Sequence, residues 1–332
     1  MNSKSPLLSL VLTVSVCTSI ASAEEVSVES TPDQPTIAHQ ILDLEAEASE
    51  VTDKHYETLE SILSDAELLF ANNEMLAKTT SQNEAIRSLA SIGQLLARRG
   101  FRLRLGVKSF AEMLTPRSDR YGRIYYEYDC DTSSLLYVSI GQRLGLPISF
   151  VESKIPGSTV NHNFVRWDFG NSTGIDWDTN GRFVRRPAVV GKFYGRSFSP
   201  KRLLAYAYFM RGKTWDEQGS PLKSIEDYRR ASEIDPGHPR PANNLAWMYV
   251  SNREVQEVME FSEALEYAQR SLETDRDPNI LDTLACTIAE GGDFSQAITL
   301  EYEALRMTNS REYANRLSGF RRQMTYLQQQ GR

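Results

Sequence analysis

Apolar positions change their spacing three times along this chain. From Ile41 to about Leu114 they recur at helical intervals, from Ile148 to Asp178 they follow strand-like runs, and from about Lys201 they return to helical spacing. The clearest early helix is Thr79 to Arg99: Ser81 and Glu84 form a capping box, Ile86, Leu89, Ala90, Leu95 and Leu96 share a face, and Gly100 stops it. A shorter helix over Ser109–Leu114 ends before Pro116. A third, Cys130 to Leu144, buries Leu135, Leu136 and Ile140 and ends at Gly145 and Pro147. Strands are then expected over Ile148–Glu152, His162–Phe169 and Gly174–Asp178, the last two joined at Gly170-Asn171, with a Gly- and Pro-bearing loop over 154–160 and one or two further strands in 183–198. Helices first and strands after, without βαβ alternation, predict an α+β domain.

The C-terminal third carries a repeat. Gly212, Ala246 and Ala285 each precede a large side chain by three residues (Trp215, Tyr249 and Ile288), and Gly212 and Ala246 lie 34 residues apart. In the first and third units Ser224 and Ala297 follow the small residue by twelve, then come Tyr228 and Glu301, then Ala231 and Ala304. Small residues at this spacing let two antiparallel helices approach closely. The block resembles three tetratricopeptide repeats over 200–310, with an insertion near Ser251–Glu260, Pro236 and Pro278 closing the first two units, and a capping helix within 311–332. The resemblance implies a groove that binds a protein partner.

At the other end, Lys4, the apolar run Leu7–Ile20 and Ala21-Ser22-Ala23 read as a bacterial-type signal peptide, 1–23, so the expected location is periplasmic or extracellular. Residues 24–40, acidic and holding Pro32 and Pro35, read as a disordered linker. Removing residues 1–23 leaves 309 residues (332 less 23), enough for two cores, and changes the net charge from −7 to −8 with the loss of Lys4. An acidic chain without a basic stripe is a poor nucleic-acid ligand. No later run reaches membrane length, so no membrane contact is expected after cleavage. Cys130 and Cys286 then remain, in different units, and a free Cys130 is expected rather than a disulfide, while Cys286 reads as a packing residue.

Cys130 opens its helix, where unpaired N–H groups and the peptide dipoles favour a thiolate, although Asp129 and Asp131 oppose it unless they cap the helix or His162 is charged. His162 follows, and Asp176 and Asp178 lie on the next strand. Thiol, imidazole and carboxylate on separate elements suit acyl transfer. From Asp129 to Gly181 the chain resembles the transglutaminase-like superfamily, which shares a papain-like Cys-His-Asp site. Cys130 with its apolar helix and Leu144-Gly145-Leu146-Pro147 match the nucleophile segment, Asn161-His162-Asn163-Phe164-Val165-Arg166-Trp167 the histidine strand, and Ile175-Asp176-Trp177-Asp178-Thr179 the acid strand. The resemblance implies an α+β domain over 41–199 in which Cys130 attacks an amide carbonyl, His162 shuttles the proton and Asp178 orients the ring, with Asp176 as the alternative. Asp131, Arg166, Trp167 and Trp177 are the candidate cleft residues.

No cofactor or metal is expected. The histidines and cysteines are too scattered for zinc, and Asp176-Trp177-Asp178-Thr179-Asn180-Gly181 lacks the closing glutamate of a calcium loop. Arg182, Arg185, Arg186, Lys192 and Arg196 read as a solvated basic face. Two functions fit. One is an exported thiol enzyme acting on peptide or protein amides, hydrolysis being favoured over crosslinking. The other is a non-catalytic adaptor whose repeats bind a partner and whose first domain is a binding module.

Overall fold

The computed structural model of the chain describes residues 34–73, 76, 81–154, 161–170, 173–180 and 195–330. The leader-like segment 1–23, residues 155–160 of the loop expected over 154–160, and Arg182, Arg185, Arg186 and Lys192 lie outside the described residues. Among the described residues no helix is long and apolar enough to cross a membrane.

Three helices form the first layer: α1 (Ile37–Glu45), α2 (Asp53–Ala71) and α3 (Gln82–Arg98). α1 corrects the linker expected over 24–40. Thr36 caps it in a box with His39, and Ile37, Ala38, Ile41 and Leu42 are buried, so Ile37 to Gln40 are folded. Proline and acidic composition upstream concealed an apolar face that has only a few residues in which to register. α3 begins at the expected Ser81–Glu84 box, and Leu89, Ile92, Leu95 and Leu96 face inward.

Strands also precede the cysteine helix, which the sequence pattern did not disclose. β1 (Phe101–Leu103) lies parallel to β3 (Ile124–Tyr128), β2 (Arg117–Ser118) pairs antiparallel with β3, and α4 (Phe110–Leu114) sits between β1 and β2 in sequence. Two- and three-residue strands carry too little alternation to be read from sequence. α5 (Cys130–Leu144) follows β3 directly and ends at Gly145, whose left-handed φ of 63° suits glycine. It packs on a four-stranded antiparallel sheet of order β6-β5-β4-β7, formed by β4 (Ile148–Lys154), β5 (Asn161–Gly170), β6 (Thr173–Trp177) and β7 (Arg196–Ser197).

The C-terminal part is a TPR-like helical repeat. α6 (Pro200–Glu217) pairs with α7 (Pro221–Ile234), α8 (Pro239–Ser251) with α10 (Phe261–Thr274), and α11 (Pro278–Glu290) with α12 (Phe294–Thr308); α13 (Arg311–Gln329) closes the stack. The short α9 (Arg253–Gln256) fills the insertion of the second unit. Gly212, Ala246 and Ala285 are buried where the helices meet, and a Cβ on Gly212 would stand 2.7 Å from Tyr228 Cε1. Pro278 opens α11 at its first turn rather than closing the unit before it. There its missing N–H is no loss, because the first turn's donors have no intrahelical partner.

A single cluster of buried residues runs from Ile37 through Phe150 and Trp167 to Tyr206, Phe209 and Tyr228, so the first repeat shares its core with the α+β part. Phe150, Phe198, Tyr206 and Phe209 pack ring on ring at this junction, Phe150 lying 5.0 Å from Tyr206 and 5.2 Å from Phe198.

Candidate functional site

α5 starts where Asp129 accepts the Thr132 N–H at 3.2 Å, so the aspartate before Cys130 is its cap. The first turn is pinned to the end of the sheet: Ser133 Oγ lies 2.6 Å from Thr179 Oγ1, and Ser134 Oγ 3.2 Å from the same atom. These bonds bring the Cys130 thiol against β5. Its Sγ donates to Asp131 Oδ1 at 3.3 Å and accepts the backbone N–H of Asn163.

The helix terminus does not lower this thiol's pKa, contrary to the sequence expectation. Burial first, and then the charge of Asp131, push Cys130 up to about 12. A half-buried sulfur beside a carboxylate that accepts its proton is stabilised as S–H. Burial and Asp131, which accepts from the thiol and from the Asn163 amide, therefore hold the thiol protonated.

Alternation along β5 places His162, Phe164 and Arg166 on one face and Asn163, Val165 and Trp167 on the other. His162 Nε2 stands 3.2 Å from Asp178 Oδ1, an ion-pair distance without hydrogen-bond geometry, and Asp178 Oδ1 also accepts the Asn180 N–H at 2.9 Å. The structure thus brings His162 and Asp178 together, while the thiol's hydrogen bonds run to Asp131 and Asn163. Asp176, the alternative acid, is engaged elsewhere: Arg166 Nε and Nη2 reach its two carboxylate oxygens at 2.6 and 3.1 Å in a buried fork. Arg166 is consequently a structural cation and not a wall of an open cleft. Trp167 is fully buried and Trp177 nearly so. Trp177 borders an apolar cavity of about 860 Å³ together with Ser133 and Thr179.

A second cavity, about 690 Å³, opens between the α+β part and the repeat helices. Cys130 and Asp131 of α5 and Asn163 of β5 line it on one side; Arg240, Asn243 and Asn244 of α8 line it on the other. Glu152 of β4 also lines it. Burial alone would raise that carboxyl, but His238, 2.9 Å away through Nε2, and the Arg240 guanidinium outweigh it and hold Glu152 down to about 2. His238, 3% exposed, lies 5.6 Å from the Phe209 ring. None of Glu152, Asn163, His238 or Arg240 stood out in the sequence. His238-Pro239-Arg240 at a helix start, in a chain with four histidines, was the available signal, but its partner lies 86 residues away.

Cys130 and Cys286 are both free thiols, and Cys286 is buried within α11. Among the described residues no three histidines, cysteines or carboxylates gather to hold a metal ion.

No protein-family model matches this chain. No curated protein matches it either. Solved structures similar to part of it are TPR domains. The first TPR of Spaghetti (RPAP3), bound to an HSP90 peptide, is 17% identical and covers 36% of this chain and 95% of its own, at a TM-score of 0.33. The N-terminal domain of stress-induced protein-1 from C. elegans is 18% identical and covers 37% and 99%, at 0.31. The second TPR domain of human RPAP3, in complex with an HSP70 peptide, is 16% identical and covers 36% and 98%, at 0.33. The likeness is confined to about a third of this chain, and its helical-repeat architecture stands on its own packing.

Proposed function

We propose that this protein is an adaptor that binds a partner protein in the groove of its helical repeats, with the α+β part forming the opposite wall. The observation that carries this reading is the shared cavity, in which repeat side chains face a thiol held in its protonated form. A groove of this size takes an extended peptide segment, and the aromatic junction keeps its two walls in register. The RPAP3 domains above hold HSP90 and HSP70 peptides; for this chain the groove reading rests on the cavity itself. Filling the groove with Asn244→Trp is expected to abolish capture of partners that the unaltered chain retains, while Cys130→Ala retains them. Undiminished capture by Asn244→Trp would discard the groove as the binding surface.

A second reading is supported by the approach of His162 to Asp178, whose neighbour Thr179 is hydrogen-bonded to Ser133 in the first turn of α5. In it the domain is a transglutaminase-like thiol enzyme, exported under the leader-like segment 1–23. Cys130 Sγ gives its proton to His162 and attacks a peptide amide carbonyl; the amine leaves with that proton, and water hydrolyses the thioester. This requires the thiol to leave Asp131 for the imidazole. The distinguishing measurement is labelling by a peptide probe carrying a thiol-reactive amide isostere. Rapid labelling that is lost in both Cys130→Ala and His162→Gln supports the enzyme. Labelling no faster than that of a free cysteine peptide leaves the adaptor.

A further inference from the structure

The groups of the junction cavity that lack partners are mostly hydrogen-bond acceptors. Asn163 is 3% exposed, and its orientation is set because Nδ2 donates to Asp131 and to Tyr206 Oη, the latter at 3.0 Å. Its Oδ1 is therefore the acceptor, and that oxygen has no partner among the described residues. Asn243 Oδ1, on the repeat wall, has none among them either. Among the described residues, the hydrogen bonds that Asp131 accepts come from neutral donors, a thiol and an amide, while Arg240 acts on it through charge alone. A buried acceptor without a donor is costly, so these two amide oxygens, together with the Asp131 carboxylate, favour a ligand rich in N–H groups.

The charges point the same way. Asp131, Glu152, Asp275 and Asp277 line the cavity against Arg202 and Arg240. Both cations have carboxylate partners, Arg240 on Glu152 and Arg202 on Asp235 at 2.6 Å. Arg202 Nη1 is an unpaired donor here, but its guanidinium lies 4.6 Å from the centre of the Phe198 ring.

We infer that the junction cavity takes an arginine side chain from an extended basic segment of the partner protein. A guanidinium presents five N–H donors in one plane, so it can serve acceptors that come from α5, β5 and α8 at once. Occupation of the cavity also places the partner's backbone across Cys130. The inference deepens the adaptor reading and rests on it.

The test uses the full chain and two fluorescein-labelled nonapeptide pools, acetylated and amidated, degenerate except at the centre. One pool has a central arginine and the other citrulline, which keeps the shape and loses the charge. Fluorescence anisotropy is expected to show the arginine pool bound at least ten-fold more tightly. Asp131→Asn should reduce that ratio to two-fold or less, without a change in melting temperature, and so should Asn243→Leu if the first variant folds poorly. Equal binding of the two pools overturns the inference and leaves the groove reading standing. A ratio unchanged in both variants overturns the placement at this cavity. Binding of neither pool overturns the inference and the groove reading together.

Discussion

At the residue scale, burial and then the Asp131 carboxylate govern what Cys130 can do. A carboxylate that accepts the thiol proton and sits in a half-buried wall favours S–H over thiolate. Cys130 should therefore react with iodoacetamide at pH 8 at least ten-fold more slowly than a cysteine in an unfolded peptide. Asp131→Asn keeps an acceptor and removes the charge, so the alkylation midpoint should move to lower pH. Mass spectrometry of the Cys130 peptide across pH 7–11 reads both effects, and an unmoved midpoint would show that burial alone sets the thiol. Nearby, Arg166→Leu leaves Asp176 as a buried carboxylate without its fork, an expected loss of about 3 kcal/mol in urea unfolding.

At the scale of helices, the repeats depend on close approach at small residues and on one costly buried acid. Gly212→Ala improves helix propensity by about 1 kcal/mol. The added Cβ nevertheless meets Tyr228, whose ring is 1% exposed and has little room to move. Overpacking of this kind costs about 1–3 kcal/mol, so a net fall in melting temperature is expected. Glu301 of α12 is fully buried between α11 and the capping helix, and neither carboxyl oxygen has a hydrogen-bond partner in well-formed geometry. Burial and then the charge of Asp282 raise Glu301 to about 8, with Arg316 opposing and Glu312 adding to the rise. A carboxyl whose folded pKa lies above its unfolded value stabilises the fold below the unfolded pKa, and that contribution is lost as pH rises through about 8. Thermal melts should accordingly show the wild type losing stability between pH 6 and pH 9, while Glu301→Gln stays flat over that range.

At the scale of the whole molecule, Glu152 joins the two parts. Its carboxyl is held down to about 2 by His238 and Arg240 against the effect of burial. A depressed carboxyl contributes stability above its unfolded pKa and loses it as pH falls through the folded one, here between about 4.5 and about 2. The shift corresponds to about 3 kcal/mol at neutral pH. Glu152→Gln should thus remove much of the acid sensitivity below pH 4.5, and limited proteolysis at neutral pH should then cleave preferentially near 195–200, where the chain passes into the repeats. Uniform proteolysis across the chain would show that the aromatic packing alone keeps the parts together.

Local periodicity and capping determined much of this protein. The Ser81–Glu84 box, the span Cys130–Leu144 with its glycine stop, the β4–β6 strands and the small-residue spacing of the repeats are all short-range signals, and each element lies where those signals put it. The approach of His162 to Asp178 agrees with the strand pairing read from Gly170-Asn171, because an antiparallel turn places such residues side by side. Tertiary structure alone decided the rest. The thiol's protonation depends on how deeply α5 sits against β5 and on where Asp131 points. The commitment of Asp176 to Arg166 rather than to His162 was likewise a choice of partner that period-two alternation leaves open, since both aspartates share a face. The junction cavity arises where residues 130, 163 and 240 meet, and no pattern of neighbouring residues encodes that meeting. Spacing along a chain reports which side chains share a face, whereas pKa and ligand chemistry depend on burial and on charges brought from distant segments.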